Sequence, residues 1–171
     1  MSVGAAEPKW ISFQFVTKNR WTSGRVETRY NRLIDLLNSD HISTINVHKA
    51  TSVRPGEVPE PETGLQVLVA VHRILFAAPL TSATAAEAPG DNYWLVQKEQ
   101  ERAVIGIGQY EIVGKVHLPR QATLGVDFLT TGLPFYAVTE ASIRLVDGAP
   151  VADLPVIVVN RRRTEYIASA E

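Results

Sequence analysis

The sequence contains no cysteine, and this absence excludes several kinds of site at once. A chain without thiols has no disulfide bonds, no thiolate metal ligands and no cysteine nucleophile. Residues 1–9 also lack the basic start and the apolar run that are typical of a signal peptide. These features lead us to expect a cytoplasmic protein.

Neither sign of charge predominates. The 17 lysines and arginines nearly balance the 18 aspartates and glutamates, which gives a net charge of −1. Such a balance provides no general attraction to nucleic acid or to an anionic membrane. No apolar run approaches the length of about 20 residues that a membrane-spanning helix needs. We therefore expect a folded globular protein that is not inserted in a membrane.

The common catalytic and cofactor motifs are also missing. The chain has neither the Gly-x-Ser-x-Gly motif of many hydrolases nor a Gly-x-x-x-x-Gly-Lys phosphate loop. The pair Gly106 and Gly108 resembles the start of a dinucleotide loop, but it lies in an alternating strand with no third glycine. A bulge or a close backbone approach explains the two glycines more simply than a dinucleotide loop does. The sequence thus predicts no cofactor.

Two sets of polar residues remain as candidates for chemistry. Asp35 and Asp127 recur in similar surroundings, where they are either acid/base or cation-binding groups or helix-surface carboxylates paired with an arginine. The histidines occur singly, without metal-ligand spacing, so only a site assembled in space would use them. They are His41, His48, His72 and His117. Neither set supports a defined reaction, and we expect a protein that is not an enzyme.

What the chain does contain is an internal repetition. Four short motifs in the first half have counterparts in the same order in the second half, and the spacing between motifs agrees to within a few residues. The pairs are Gly24–Val26 with Gly114–Val116, Asp35–Leu37 with Asp127–Leu129, Val47–Ala50 with Val138–Ala141, and Val69–Arg73 with Val158–Arg161. The repetition predicts two copies of one module.

Local patterns give a predicted content for each copy. Residues 11–15 and 21–29 alternate between apolar and polar, as half-buried strands do. Residues 30–38 carry an apolar stripe at helical spacing, whereas Gly125 weakens the corresponding helix at 122–131. We predict a β-rich α+β fold in which a strand-helix-strand-strand unit is duplicated and packed as a pseudo-twofold pair.

The predicted division of the chain follows from this pattern. Composition separates a loose tail, two repeat units and an alanine-, threonine- and proline-rich link between them. The boundaries are 1–9 for the flexible tail, 10–79 for repeat unit 1, 80–100 for the connecting segment and 101–171 for repeat unit 2.

One concentration of positive charge stands out near the carboxyl end. It consists of Arg161, Arg162 and Arg163, with Tyr166 after them and Arg144 on a preceding strand. Arginines beside an aromatic ring can bind phosphates and stack on a base. Arginines at a strand end also serve as a solvated edge or as a partner-facing patch. Both readings stay open.

The quoted motifs resemble those of a small, uncharacterised bacterial family. Its members carry an arginine-leucine-serine-aspartate-x-leucine-asparagine segment, then a strand ending in threonine-aspartate-alanine and a final strand ending in asparagine-arginine. Residues 32–38 match the first element, with Ile34 in place of serine. Val138–Ala141 and Val159–Arg161 match the other two. The resemblance implies no activity, because the family has no assigned reaction.

A duplicated module without catalytic motifs predicts a binding role. We expect a non-catalytic protein-interaction or scaffolding module, with self-association or a protein partner. An acidic segment at 55–64 in one copy and the arginine cluster in the other favour a head-to-tail contact between unlike faces. The alternative is a nucleotide- or nucleic-acid-binding regulator that uses the arginine cluster. Trp10, Trp21 and Trp94 are either interface residues or core anchors.

Overall fold

The structure, a computed structural model, describes residues 9–18, 20–54, 65–80, 98–119, 122–130 and 132–170. The tail predicted at 1–9 therefore lies outside the described residues apart from Lys9. The same holds for the acidic segment 55–64 and for most of the predicted link, including Trp94. Residues 98–100 of that link belong to a strand.

The described residues form ten strands, two short α-helices and two 3₁₀ turns. The strands are β1 (Lys9–Thr17), β2 (Arg20–Thr28), β3 (Thr44–Val53), β4 (Leu65–Ala70), β5 (Phe76–Pro79), β6 (Lys98–Ile107), β7 (Tyr110–Pro119), β8 (Phe135–Leu145), β9 (Pro150–Asn160) and β10 (Tyr166–Ser169). The helices are α1 (Leu33–Leu37) and α2 (Val126–Thr130), and the 3₁₀ turns are Val71–Arg73 and Arg161–Arg163.

All ten strands belong to one antiparallel sheet. Their order across the sheet is β10-β6-β7-β8-β9-β5-β1-β2-β3-β4. The first five strands of the chain and the last five thus occur in the same relative order, and β9 pairs with β5 where the two series meet. Within the described residues, neither α-helix is long and apolar enough to cross a membrane.

The predicted α+β class is wrong, because the structure is almost entirely sheet. The apolar stripe at 30–38 predicted more than two helical turns, but α1 has only five residues. Its buried side chains, Leu33, Leu36 and Leu37, cover the core while the chain crosses from β2 to β3. The strand-helix-strand-strand unit is wrong for the same reason, since each series has five strands and the helix is only a connection.

The pseudo-twofold packing is also wrong. A twofold axis would bring the same strand of each series together, whereas β9 of the second series meets β5 of the first. The contact is head to tail. Strand β5 contributes to both hydrophobic clusters of the core, because Phe76 packs in one cluster and its neighbour Ala77 in the other. Successive residues of a strand point to opposite faces, so the two clusters lie on opposite faces of the sheet at this junction.

Strand register repeats between the two series. Phe76 pairs with Val16, and Tyr166 pairs with Gly106, so each residue lies 90 positions after its counterpart (166 − 76 and 106 − 16). The pairs Val16 with Trp21 and Gly106 with Glu111 show the same offset. We call residues related by this offset of 90 equivalent residues.

A bulge on β3 and on β8 repeats as well. Lys49 and Glu140, which are 91 positions apart because β8 is shifted by one residue relative to β3, both have a positive φ of 51°, which is rare for residues with a side chain. Gly24 and Gly114 lie opposite these bulges, where an added Cβ would overlap the side chain of Val47 or Val138. Only glycine fits there, which explains why these glycines open the repeated motifs.

Candidate interaction site

The predicted site residues do not form one site. Arg144 and Tyr166 meet at the β10 end of the sheet, where both contact Glu111. The Tyr166 hydroxyl donates to Glu111 Oε2 at 2.7 Å, and Arg144 Nε donates to Glu111 Oε1 at 2.7 Å. These two hydrogen bonds, first that of Tyr166, lower the pKa of Glu111. The bond to Glu111 in turn raises the pKa of Tyr166.

Arg161 is partly buried and packs against two aromatic rings. Its guanidinium lies 4.3 Å from the ring centre of Phe128 and 5.0 Å from that of Tyr136, and its Nε donates to the carbonyl of Leu133 at 2.9 Å. Burial lowers the pKa of Arg161 and raises the pKa of Tyr136 to about 12. This arginine thus packs against Phe128 of α2 and Tyr136 of the sheet.

Arg162 and Arg163 lie at the surface on the second 3₁₀ turn. Arg163 Nε donates to the carbonyl of His72 at 3.0 Å, which ties this turn to the first one. The side chains of Arg162 and Arg163 also line an open cleft beside β4. Three further cations line the same cleft, and they are Lys18, Arg20 and Arg73.

Of the two candidate aspartates, Asp35 has a structural partner. Asp35 accepts two hydrogen bonds at 2.8 Å from the guanidinium of Arg32, which is the helix-surface reading of that carboxylate. The side chain of Asp127 lies outside the described part of the structure. The described residues contain no group of three or more histidine, aspartate or glutamate side chains that could hold a metal ion.

Gly106 lies in β6, but Gly108 lies in the turn after it, with a φ of 59°. The ring of Tyr166 lies directly over Gly106, where an added Cβ would overlap the ring. The close approach at Gly106 is therefore made by a side chain, whereas a bulge or a backbone approach was predicted. The equivalent residue in the first series is Val16, which is buried.

The junction between β9 and β5 is the best-packed contact between the two series. Phe76 pairs with Val159 and Ala77 with Val158, and all four side chains are buried. The Asn160 backbone N–H donates to the Leu75 carbonyl at 2.8 Å. The Asn160 side chain is buried and donates to the Ile74 carbonyl at 2.7 Å.

Three aromatic rings fill the space beside this junction. Phe76, Trp21 and Tyr110 pack edge to face with ring centres 5.3–6.1 Å apart. The indole N–H of Trp21 donates to the Tyr110 hydroxyl at 2.9 Å. Trp21 is thus a core anchor at the join between the series, whereas Trp10 is 46% exposed.

Asn38 adds a second tie between the series that the sequence did not indicate. Its side-chain amide donates to the Phe135 carbonyl at 3.0 Å and accepts from the Phe135 N–H at 2.8 Å. Asn38 follows α1 and matches the last position of the resembled family motif. That match was the only signal in the sequence, and it gave no indication of a partner 97 residues away.

The two outer strands of the sheet are the equivalents of the two strands that form the junction. Among the described strands, β4 and β10 each have a neighbour on one side only. Strand β4 is equivalent to β9, and β10 is equivalent to β5. Leu68 at the β4 edge is 74% exposed, whereas its equivalent Val158 is fully buried.

The opposite edge shows the same contrast. Tyr166 is 44% exposed, whereas its equivalent Phe76 is 1% exposed. Glu165 and Ala168 are exposed as well, in place of the buried Leu75 and Ala78. Each outer strand of the sheet is thus equivalent to one of the two strands, β9 and β5, that pair at the internal junction.

The cleft beside β4 has a volume of about 1050 Å³. Its apolar lining includes Phe15, Val67 and Val69, and these are equivalent to Ile105, Ile157 and Val159 of the second series. Those three equivalents are buried in the cluster that contains Phe76 and Leu75. In the second series, the equivalent space is filled by Phe76 and Leu75 of the first series. The cleft beside β4 is the corresponding space of the first series, and it is open.

Comparison with known proteins adds no assignment. No protein-family model matches the sequence, and the searches of curated proteins and of solved structures found no match either. The resemblance to an uncharacterised bacterial family stays a prediction, and the function rests on the geometry of the sheet edges.

Proposed function

We propose that the protein is a non-catalytic interaction module that assembles with copies of itself through the two outer strands of its sheet. One observation carries this proposal. The contact between β9 and β5 joins two equivalent series head to tail, and the same two kinds of strand end the sheet as β4 and β10. A second copy can extend the sheet by repeating a contact that this sequence already makes.

The composition of the outer strands supports this role. Natural sheets usually protect an edge with lysine, proline or a bulge, because an open row of N–H and C=O groups invites further pairing. From Leu65 to Val71 there is neither a charged residue nor a proline, and Tyr166–Ser169 are uncharged too. Both edges suit backbone pairing with another chain.

The proposed contact joins two different surfaces. A heterologous contact of this kind generates a ring if its rotation closes and an open filament if it does not. In a ring, every outer strand pairs with an outer strand of a neighbouring chain. In a filament, every outer strand does so except the two at the ends.

Size-exclusion chromatography with light scattering over a series of concentrations tests this function. We expect the average mass to rise with concentration in steps of one chain, and electron microscopy to show rings or filaments. A mass equal to one chain at the highest soluble concentration would overturn the proposal.

Nucleotide or nucleic-acid binding remains the second candidate, on the strength of the cationic cleft. Lys18, Arg20, Arg73, Arg162 and Arg163 line one opening, with Glu165 among them. Arg161 has no part in it. Binding of a fluorescent oligonucleotide should weaken with rising salt and disappear when Arg162 and Arg163 become alanine. Retention of binding in that variant would eliminate this candidate.

A further inference from the structure

We propose that β10 of a second copy pairs antiparallel with β4, with Tyr166 of one molecule opposite Val69 of the other. This inference rests on the proposed self-assembly and specifies its register. The internal junction sets it, because Phe76 pairs with Val159 and their equivalents are Tyr166 and Val69. The next pair, Ala77 with Val158, places Ile167 opposite Leu68.

The backbone of β4 fits this register. In the internal junction the Asn160 N–H donates to the carbonyl of Leu75. The equivalent groups are the N–H of Ala70 and the carbonyl of Glu165. Ala70 is the last residue of β4 and directly precedes the first 3₁₀ turn, and Glu165 lies between the second 3₁₀ turn and β10. The backbone hydrogen bonds that follow the two turns are the same in the two series. Leu75 N–H donates to the Val16 carbonyl at 2.7 Å, as Glu165 N–H donates to the Gly106 carbonyl at 2.8 Å.

The register places Tyr166 of the second copy in the cleft beside β4. Phe76 occupies the equivalent position and packs among the buried residues of the second series. A tyrosine ring fits an apolar lining while its hydroxyl reaches a polar group at the mouth. In this chain the hydroxyl already has such a partner in Glu111. Tyr166 therefore enters the cleft without leaving a polar atom unsatisfied.

Charges at the proposed contact are complementary. Trp21 hydrogen-bonds to Tyr110 in the internal junction, and the equivalents of these residues are Glu111 and Arg20. The proposed register thus brings the carboxylate of Glu111 on one molecule to the guanidinium of Arg20 on the next. The hydrogen bond between Trp21 and Tyr110 inside the chain thus corresponds to an ion pair between Glu111 and Arg20 of neighbouring chains.

The contact between chains lacks one bond of the internal junction. Asn160 anchors β9 to Ile74 through its buried side chain, whereas its equivalent, Ala70, has no polar side chain. We infer that the contact between chains is weaker than the internal one and is reversible. This difference lets the monomer fold completely before it assembles.

Because the chain has no cysteine, paired cysteine substitutions test the register directly. A chain with Leu68→Cys and Ile167→Cys should give a ladder of disulfide-linked oligomers on mild oxidation. The matched control carries Ala77→Cys and Val158→Cys, the equivalent pair of the internal junction, and should form a disulfide within one chain. Both pairs are directly opposed in the same strand geometry.

A second control shifts the register by one residue. Leu68→Cys with Ala168→Cys places the two thiols on opposite faces of the sheet and should give no ladder. If the protein self-associates and the control pair at 77 and 158 oxidises, but the pair at 68 and 167 does not, the register is wrong while self-assembly stands. If light scattering shows only monomer, both proposals fail.

Discussion

Among the large apolar side chains that the structure describes, Leu68 is the most exposed, and it lies on the outer strand β4. Leu68→Lys removes no buried contact in the monomer, because the side chain is 74% exposed. A lysine there would have to lose its hydration against the next chain, which is costly without a partner. We expect Leu68→Lys to remain monomeric in light scattering with an unchanged melting temperature.

The matched control for this change is Val146→Lys, because Val146 is 71% exposed and lies in the turn after β8. That variant should associate like the wild type. Loss of association in both variants would point to a general charge effect and would contradict the role of Leu68.

Glu111 and Arg20 give a prediction about charge. Arg20→Glu should weaken self-association at low salt by at least tenfold, because like charges then meet at the contact. Combining Arg20→Glu with Glu111→Arg should restore part of the association in a single chain. Sedimentation velocity measures both effects, and Asp153→Lys on the exposed part of β9 is the control charge reversal. Equal weakening by the control would argue against the pair.

Glu111 also sets a pH dependence within one chain. Its folded-state pKa is lowered by hydrogen bonds from Tyr166 and Arg144, so its contribution to stability is present above the unfolded-state pKa of a glutamate. The contribution is lost as pH falls through the lowered folded-state value. Glu111→Gln should therefore reduce the acid sensitivity of stability, as measured by urea unfolding at several pH values. An unchanged pH profile would show that these bonds do not stabilise the fold.

Asn160 is a buried polar residue that fixes the internal junction. Asn160→Ala leaves the Ile74 carbonyl and the Arg162 N–H without their side-chain partner, which should cost about 1–3 kcal/mol of unfolding free energy. Urea denaturation measures this cost. Asn46→Ala, at an exposed position on β3, should change stability by less than about 0.5 kcal/mol. Equal effects of the two substitutions would contradict a special role for Asn160.

Some of these residue roles were visible in the sequence and others were not. The pairing of Asp35 with an arginine was one of the two readings left open, and Arg32 lies three positions before it. The arginine cluster was predicted as a single patch, but alternation of strand faces and the 3₁₀ turn send its members to different places. Arg161 points between two rings, and only its neighbours reach the cleft.

Strand β4 is the element on which the assembly depends. Ala70 ends it with φ of −72°, which matches the value that proline requires. Ala70→Pro should therefore preserve the fold and remove the N–H that the proposed contact uses. We expect normal circular dichroism and no self-association.

The control for this substitution is Ala70→Ser, which keeps the backbone N–H. It should associate like the wild type in light scattering. Full association of Ala70→Pro would contradict backbone pairing along β4.

Strands were easier to predict than helices because two-residue alternation is explicit in β1 and β2. The helix at 30–38 was predicted too long, since its apolar stripe continues into turns at both ends. The identity of the edge strands was not predictable, because it depends on which distant strands pair. The apolar runs of β4 and of its equivalent β9 are similar, although β9 is paired on both sides.

For the whole molecule, the repeated order of motifs predicted two related halves but not their arrangement. Motif comparison placed Asn160 opposite His72, whereas the offset of 90 makes Arg162 the equivalent of His72. Similar apolar runs before each 3₁₀ turn allowed this slip of two residues. The sheet order shows a head-to-tail arrangement in place of the predicted pseudo-twofold pair. Only the head-to-tail arrangement leaves two different outer strands that complement each other.

Hydrogen–deuterium exchange as a function of protein concentration measures assembly through the two outer strands in solution. Amides of residues 65–70 and 166–169 should gain protection together as concentration rises, while those of β2 and β7 inside the sheet should not change. The cationic cleft next to β4 should gain protection in parallel. Protection that stays constant at both edges, or that increases elsewhere in the described sheet, would contradict assembly through β4 and β10.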